Sequence, residues 1–290
     1  MSFHLPMIRM IGFCWAAGAF LGLAVRPQTP PPVPSVAGSQ HAPSDKQAAE
    51  KPVTVEIPAV NYYSSGGQSN IEFSPTALMP SARGQGQVKI LKDGSVSVDV
   101  RFSGLESATK FGNQFLTYVL WGSVPKGQTL NIAEVTLTGD SGRLVATTVL
   151  RTFAMMLTAE PYAVVTQPSS IVILKAVSPT SGPSQTGIAQ VKLLENAYAP
   201  PGYKYEPLDT ASGYPPELLQ AMNARRIAKA WDAEKYAPVQ FRQAEDFYHY
   251  LTGSVKLEKK PSKELLGVAK SVSQSYEKAR AISVRQQNRK

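Results

Sequence analysis

Apolar residues change their period once along this chain, and that change bounds what it can fold into. From Ala82 to Val177 they alternate, and from Pro215 to the end they recur every three or four residues. Alternation marks half-buried strands; the longer step marks amphipathic helices. In QVKILKDGSVSVDVRF, Val88 and Ile90 precede an Asp-Gly turn, and Val96, Val98, Val100 and Phe102 follow it. That is a hairpin signature. FLTYVLWGSV, NIAEVTLTGD, RLVATTV, FAMMLTAE and IVILKAV continue the pattern, with Gly, Pro and Asp between them. About seven short strands predict an antiparallel, immunoglobulin-like β-sandwich over 81–178.

The helical part reads differently. Leu218, Ala221, Ala224, Ile227, Ala228 and Trp231 form one stripe after Pro215-Pro216. Ala237, Phe241, Ala244, Tyr248 and Leu251 form a second, with Gly253 expected to end it. Leu265, Ala269, Val272, Tyr276 and Ala279 form a third, opened by Pro261-Ser262. The spacing predicts an antiparallel helical hairpin, or a small three-helix unit, over 215–290. The fold class expected is therefore α+β. Breaker-rich residues 179–214 are expected to be a linker.

Ahead of the strands, Arg9 precedes fifteen largely apolar residues, Ile11 to Val25. This is the length of an export signal, short of a spanning helix. Gly22 and Ala24 supply small residues for cleavage after Ala24, giving a signal peptide over 1–24; the alternative is an uncleaved anchor. Prolines then cluster, and PQTPPPVPSVAG favours extended polyproline II, so 25–80 is expected to be a flexible tether. Cys14, the single cysteine, falls inside the signal, which leaves no thiol or disulfide chemistry downstream. Export predicts a periplasmic or outer-envelope location.

The search for chemistry excludes more than it finds. WGSVPKGQT has the glycine spacing of a phosphate-binding loop, but Gln128 stands where the lysine belongs and a strand pattern follows where a helix is required. It reads as a strand-to-strand turn, with Pro125 setting φ and Gly127 expected at positive φ. The three histidines are scattered, and the common zinc and serine-hydrolase motifs are missing. Carboxylates occur singly, or as neighbours such as Asp232/Glu234 and Glu245/Asp246 that share no helix face. We therefore expect no enzyme, no cofactor, no metal and no nucleotide. A hydrolase whose carboxylates are gathered by the fold is the minor alternative.

Charge is concentrated at the end. Gly253 to Lys290 holds ten Lys or Arg against three Glu, while the whole chain is +9. Lys259, Lys260, Lys263, Lys270, Lys278, Arg280, Arg285 and Arg289 are the candidate contacts for an anionic surface, with a solvated helix face as the alternative. No aromatics interleave with them, and nucleic acid is not an expected partner.

FGNQFLTYVLW, NIAEV, the LVATT strand and TAEPYAVVTQPS resemble a domain of bacterial envelope proteins that also carry an OmpA-type peptidoglycan-binding domain. APVQFRQAEDFYHYLTG and KELLGVAKSVSQSYEKARAISVRQ are similar to a helical domain of unknown function in the same proteins. Nothing after residue 253 has the β-α alternation of the OmpA-type domain itself. The resemblance implies an envelope setting; the partner expected is an envelope protein or, through the basic last helix, an anionic cell-wall or membrane surface. It implies no activity and transfers no functional residue.

Overall fold

Alternation and helical stepping become a mostly antiparallel sheet and a C-terminal helical layer. A computed structural model describes residues 52–65, 67–177, 185–194, 198–210, 213–257 and 261–289. The expected signal peptide and residues 25–51 of the expected tether lie outside these. Among the described residues there are eleven strands, more than the seven expected. They are β1 (Pro52–Asn61), β2 (Gln68–Pro75), β3 (Arg83–Ile90), β4 (Val96–Ser103), β5 (Thr117–Ser123), β6 (Thr129–Val135), β7 (Leu137–Thr138), β8 (Ser141–Thr148), β9 (Thr152–Glu160), β10 (Val172–Ala176) and β11 (Gln185–Leu194). The helices are α1 (Pro216–Ala230), the single turn α2 (Ala233–Tyr236), α3 (Pro238–Leu257) and α4 (Lys263–Gln287).

Two boundaries differ from expectation. The tether stops short of 80, because PVTVEIPAVN and QSNIEFSP are β1 and β2. Part of the expected linker is β11, which pairs with β1 in antiparallel register from Pro52↔Leu194 to Val60↔Gln185. Prolines obscured the first: Pro52 and Pro58 sit in β1, whose other edge pairs with β9 only at Val60 and Asn61. A proline is tolerated where a strand edge asks for no donor.

The sheet runs β11-β1-β9-β10-β2-β3-β4-β8-β7, with β5 on β9 and β6 on β5. β9 is the hub. One of its edges pairs with β5 over its length, Thr117↔Glu160 to Ser123↔Ala154. Its other edge is divided between β1 at Phe153 and β10 from Met156 onward. β5 is buried at every position and β9 at all but its first. That is why TYVLWGS and FAMMLTAE read as continuous apolar runs rather than as alternation.

β2, β3, β4 and β8 alternate cleanly, and large and small residues interlock across them. Phe73, Gly84, Phe102 and Gly142 are successive cross-strand partners. The two rings pack edge to face at 5.7 Å over the glycine between them. A Cβ on Gly84 would lie 3.0 Å from one ring and 3.1 Å from the other side chain. The next row is Ile71, Gly86, Val100 and Leu144. There a Cβ on Gly86 would stand 2.0 Å from the Asp99 carbonyl oxygen, so β3 bends against β4 in a way only glycine permits.

WGSVPKGQT is the β5–β6 hairpin, as expected. The positive φ falls on Lys126, at 55°, rather than on Gly127. Gly127 is required for space: a Cβ there would meet Val124 Cγ2 at 2.0 Å. The helical stripes are buried as expected, and three long helices form. α3 runs through Gly253 to Leu257 instead of ending there, since nothing crowds that position. No helix among the described residues is long and apolar enough to cross a membrane.

Two glycines give opposite expectations for thermal or urea unfolding. Gly86→Ala forces backbone apart and lowers stability by about 2 kcal/mol or more. Gly253→Ala, in an open helical position, raises it by about 0.5–1 kcal/mol. A neutral Gly86→Ala would contradict the described approach of β3 to β4.

Candidate functional site

The helical layer meets the sheet at the β9–β10 loop, residues 161–171, where polar side chains supplement a continuous apolar core. Asn223 of α1 donates to the carbonyls of Gln114 (2.7 Å) and Pro161 (2.8 Å). Gln220 accepts from the Ala163 amide at 2.7 Å and donates to Glu134 at 2.5 Å. Asn131 of β6 donates to the Ala163 and Val165 carbonyls, at 2.8 and 3.0 Å. Backbone groups of the loop that have no strand partner are thus satisfied by amide side chains, while its end pairs with Leu194.

At the centre is a buried ion pair within α4. Arg280 Nε donates to Glu277 Oε2 at 2.8 Å and Nη2 to Oε1 at 3.1 Å. Glu277 also accepts from the Tyr162 hydroxyl (2.6 Å) and the Thr166 hydroxyl (2.8 Å). The guanidinium lies 5.3 Å from the centre of the Tyr198 ring. Glu277 is 1% exposed and Arg280 3%. Burial alone would raise the Glu277 carboxyl. The adjoining Arg280 charge and the four donated hydrogen bonds outweigh it and hold the carboxyl below its usual range.

A second buried carboxylate has the opposite fate. Glu160, the last residue of β9, accepts at Oε1 from the Thr158 hydroxyl and from the Ser169 amide (2.9 Å). Trp121 Nε1 donates in turn to Thr158 at 2.8 Å. Glu160 Oε2 is buried with no hydrogen-bond partner. The Tyr198 hydroxyl, close enough to influence it, donates to the Gln167 carbonyl at 2.8 Å. Burial pushes the Glu160 carboxyl up to about 8, only partly offset by its donors.

α4 has a third, exposed face. Lys263, Lys270, Lys278 and Arg285 follow at steps of seven, eight and seven residues, each near two helical turns, and Arg289 follows the helix end. All five are exposed and none forms an ion pair among the described residues. The stripe spans roughly 33 Å from Lys263 to Arg285 and points away from Leu265, Val272, Tyr276 and Ala279. Of α4's two acids, Glu277 is buried and Glu264 lies in the first turn, beside the stripe. Neighbouring cations are about a Debye length apart, so their mutual repulsion is weak. Lys278 and Arg285 also wall a cleft of ≈570 Å³ with Gln274, Thr166 and Gln167, floored by the Glu277–Arg280 pair.

Of the eight cations expected on this surface, five share the stripe. Lys259 and Lys260 lie outside the described residues. Arg280 must be withdrawn as a surface contact: its charge is buried and committed to Glu277. Glu277 and Thr166 were not singled out from sequence. The i,i+3 spacing of Glu277 and Arg280 was a legible pairing signal. Glu134 and Glu217 do share a cleft of ≈500 Å³ at the start of α1, but Glu134 is occupied by Thr117 and Gln220. Among the described residues no three His, Cys, Asp or Glu gather in a metal-holding group. His249 is an exposed residue 4.0 Å from Glu245. Compared with known proteins, the chain matches no family model, no curated protein and no solved structure.

Removing one partner of the buried pair is the costly change. Glu277→Gln is expected to destabilise the protein by about 3–5 kcal/mol in denaturant unfolding, whereas replacing both Glu277 and Arg280 by Leu and Met recovers most of that loss. The two acids also give opposite pH slopes. The folded Glu160 keeps a proton that the unfolded chain loses from about 4.5, so stability falls between there and about 8 and then levels. Glu160→Gln flattens that decline. Glu277 contributes fully above about 4.5 and loses its contribution as pH falls below. An unchanged slope in Glu160→Gln would refute the assignment.

Proposed function

We propose that this protein is a non-enzymatic interaction module of the bacterial cell envelope, exported by its N-terminal signal. Its contact surface is the exposed face of α4, which takes an anionic envelope polymer or membrane surface. The observation that carries the reading is the acid-free stripe of Lys263, Lys270, Lys278, Arg285 and Arg289. Its apolar opposite face is fully used in packing, so the stripe is not a by-product of an unpartnered helix. The spacing suits a repeating anionic surface more than a small ligand, because the charges stand about 10 Å apart. The envelope setting rests on the signal and on the resemblance of the strand and hairpin segments.

The test is co-sedimentation of the mature chain with purified cell-wall sacculi and with anionic lipid vesicles across a salt series. Binding is expected at low salt and is lost steeply by about 0.5 M. Changing Lys263, Lys270, Lys278 and Arg285 to Gln together weakens it, roughly fivefold for each charge removed. Binding that ignores salt, or that the fourfold variant retains, defeats the reading.

A further inference from the structure

The exposed side of the sheet carries a second charged site, separate from α4. Across β2, β3, β4 and β8 the register aligns Glu72, Gln85, Arg101 and Arg143 in one row. The row lies in a groove of ≈790 Å³ that also takes in Arg83, Ser103 and Ser141. Arg101 and Arg143 stand directly opposite on antiparallel neighbours, an arrangement of like charges that costs stability. Arg143 is compensated: Nε and Nη2 donate to the two oxygens of Asp99 at 3.0 and 2.7 Å. Arg101 is exposed and makes no hydrogen bond or ion pair among the described residues. Arg83 turns Nη1 to the carbonyls of Pro80 and Ala82, at 2.7 and 2.8 Å, which fixes its direction without neutralising it. A guanidinium held opposite another, with five donors unused, is a standing place for an anion.

We infer that this groove binds an acidic oligosaccharide, with a sugar carboxylate on the Arg101 fork and hydroxyls of adjoining units on Glu72, Gln85 and the two serines. The planar fork of arginine matches a carboxylate in two parallel hydrogen bonds. The rest of the row sets the spacing. Glu72 stands two strand separations from Arg101, about 10 Å, and accepts hydroxyl protons where it would repel a charge. A polymer charged at every link meets that repulsion. Single-stranded nucleic acid also needs exposed rings to stack on, and here Phe73 and Phe102 are buried beneath the surface. A peptide added as a strand needs a free edge, and β3 and β4 are paired on both sides. An alternation of one anion with neutral hydroxyls is what the row accommodates.

The experiment is titration of the mature chain with a hyaluronan tetrasaccharide, in which glucuronate alternates with neutral N-acetylglucosamine, followed by calorimetry and by amide NMR shifts. The fully methyl-esterified tetramer and a tetra-aspartate peptide serve as comparisons. The hyaluronan tetrasaccharide is expected to bind and to shift amides of β2, β3, β4 and β8, while the ester does not. Arg101→Gln is expected to weaken binding about tenfold, with Arg101→Lys restoring only part of it. Glu72→Gln weakens it too, as an acceptor of hydroxyls rather than a counter-charge. The fourfold α4 variant leaves it unchanged, which separates this site from the proposed envelope contact. Unchanged unfolding midpoints show that each variant is folded. No binding of the hyaluronan tetrasaccharide, equal binding by Arg101→Gln, loss of binding in the α4 variant, or tighter binding of tetra-aspartate would each overturn the inference.

Discussion

The Glu277–Arg280 pair is the interaction on which the rest of the arrangement depends. Two charges removed from water are favourable only when nearly every lone pair and proton finds a partner. Here the carboxylate receives two bonds from arginine and two from the hydroxyls of Tyr162 and Thr166. Those hydroxyls belong to the β9–β10 loop, so satisfying the pair and seating α4 on the sheet are one event. An apolar seam would tolerate sliding. A carboxylate with four directed donors sets both the rotation of α4 and its position along its axis. The direction in which Lys270, Lys278 and Arg285 face is thus decided by a buried group beside them on the same helix.

Glu160 and Glu277 show how little a residue type says about charge. Both are buried, and burial raises both. One has an arginine beside it and stays ionised; the other has only neutral donors on one oxygen and holds its proton near neutrality. The unpartnered oxygen of Glu160 is the cost of placing an acid at the end of a fully buried strand. The network from Trp121 through Thr158 to Glu160 nevertheless links β5 to β9 by side chains as well as by backbone.

The helices, the Asp-Gly hairpin and the β5–β6 hairpin were legible because local period and turn chemistry decide them. β1 and β11 were not. Their pairing is long-range, and their prolines, glycines and polar residues have the composition of a linker. The strand count was underestimated for the same reason. The stripe on α4 was visible as charge, but Arg280, a buried cation outside it, looked like the others. What distinguishes it is the neighbour three positions earlier and a loop more than a hundred residues away. The sheet-face row was invisible, since register across four strands, not spacing within one, brings Glu72, Arg101 and Arg143 into line.

The pairing of β1 with β11 governs the order in which the chain can be completed. Val60 meets Gln185, about 125 positions later, and Pro52 meets Leu194. During synthesis at about 5–20 residues per second, β1 waits roughly 6–25 s for its principal partner. Throughout that interval Val55, Ile57 and Val60 belong to an unpaired strand. A nascent chain of this design leaves β1 without its main partner until about two thirds of the sequence has been made. It gains from being held extended until both strands of the ribbon are present.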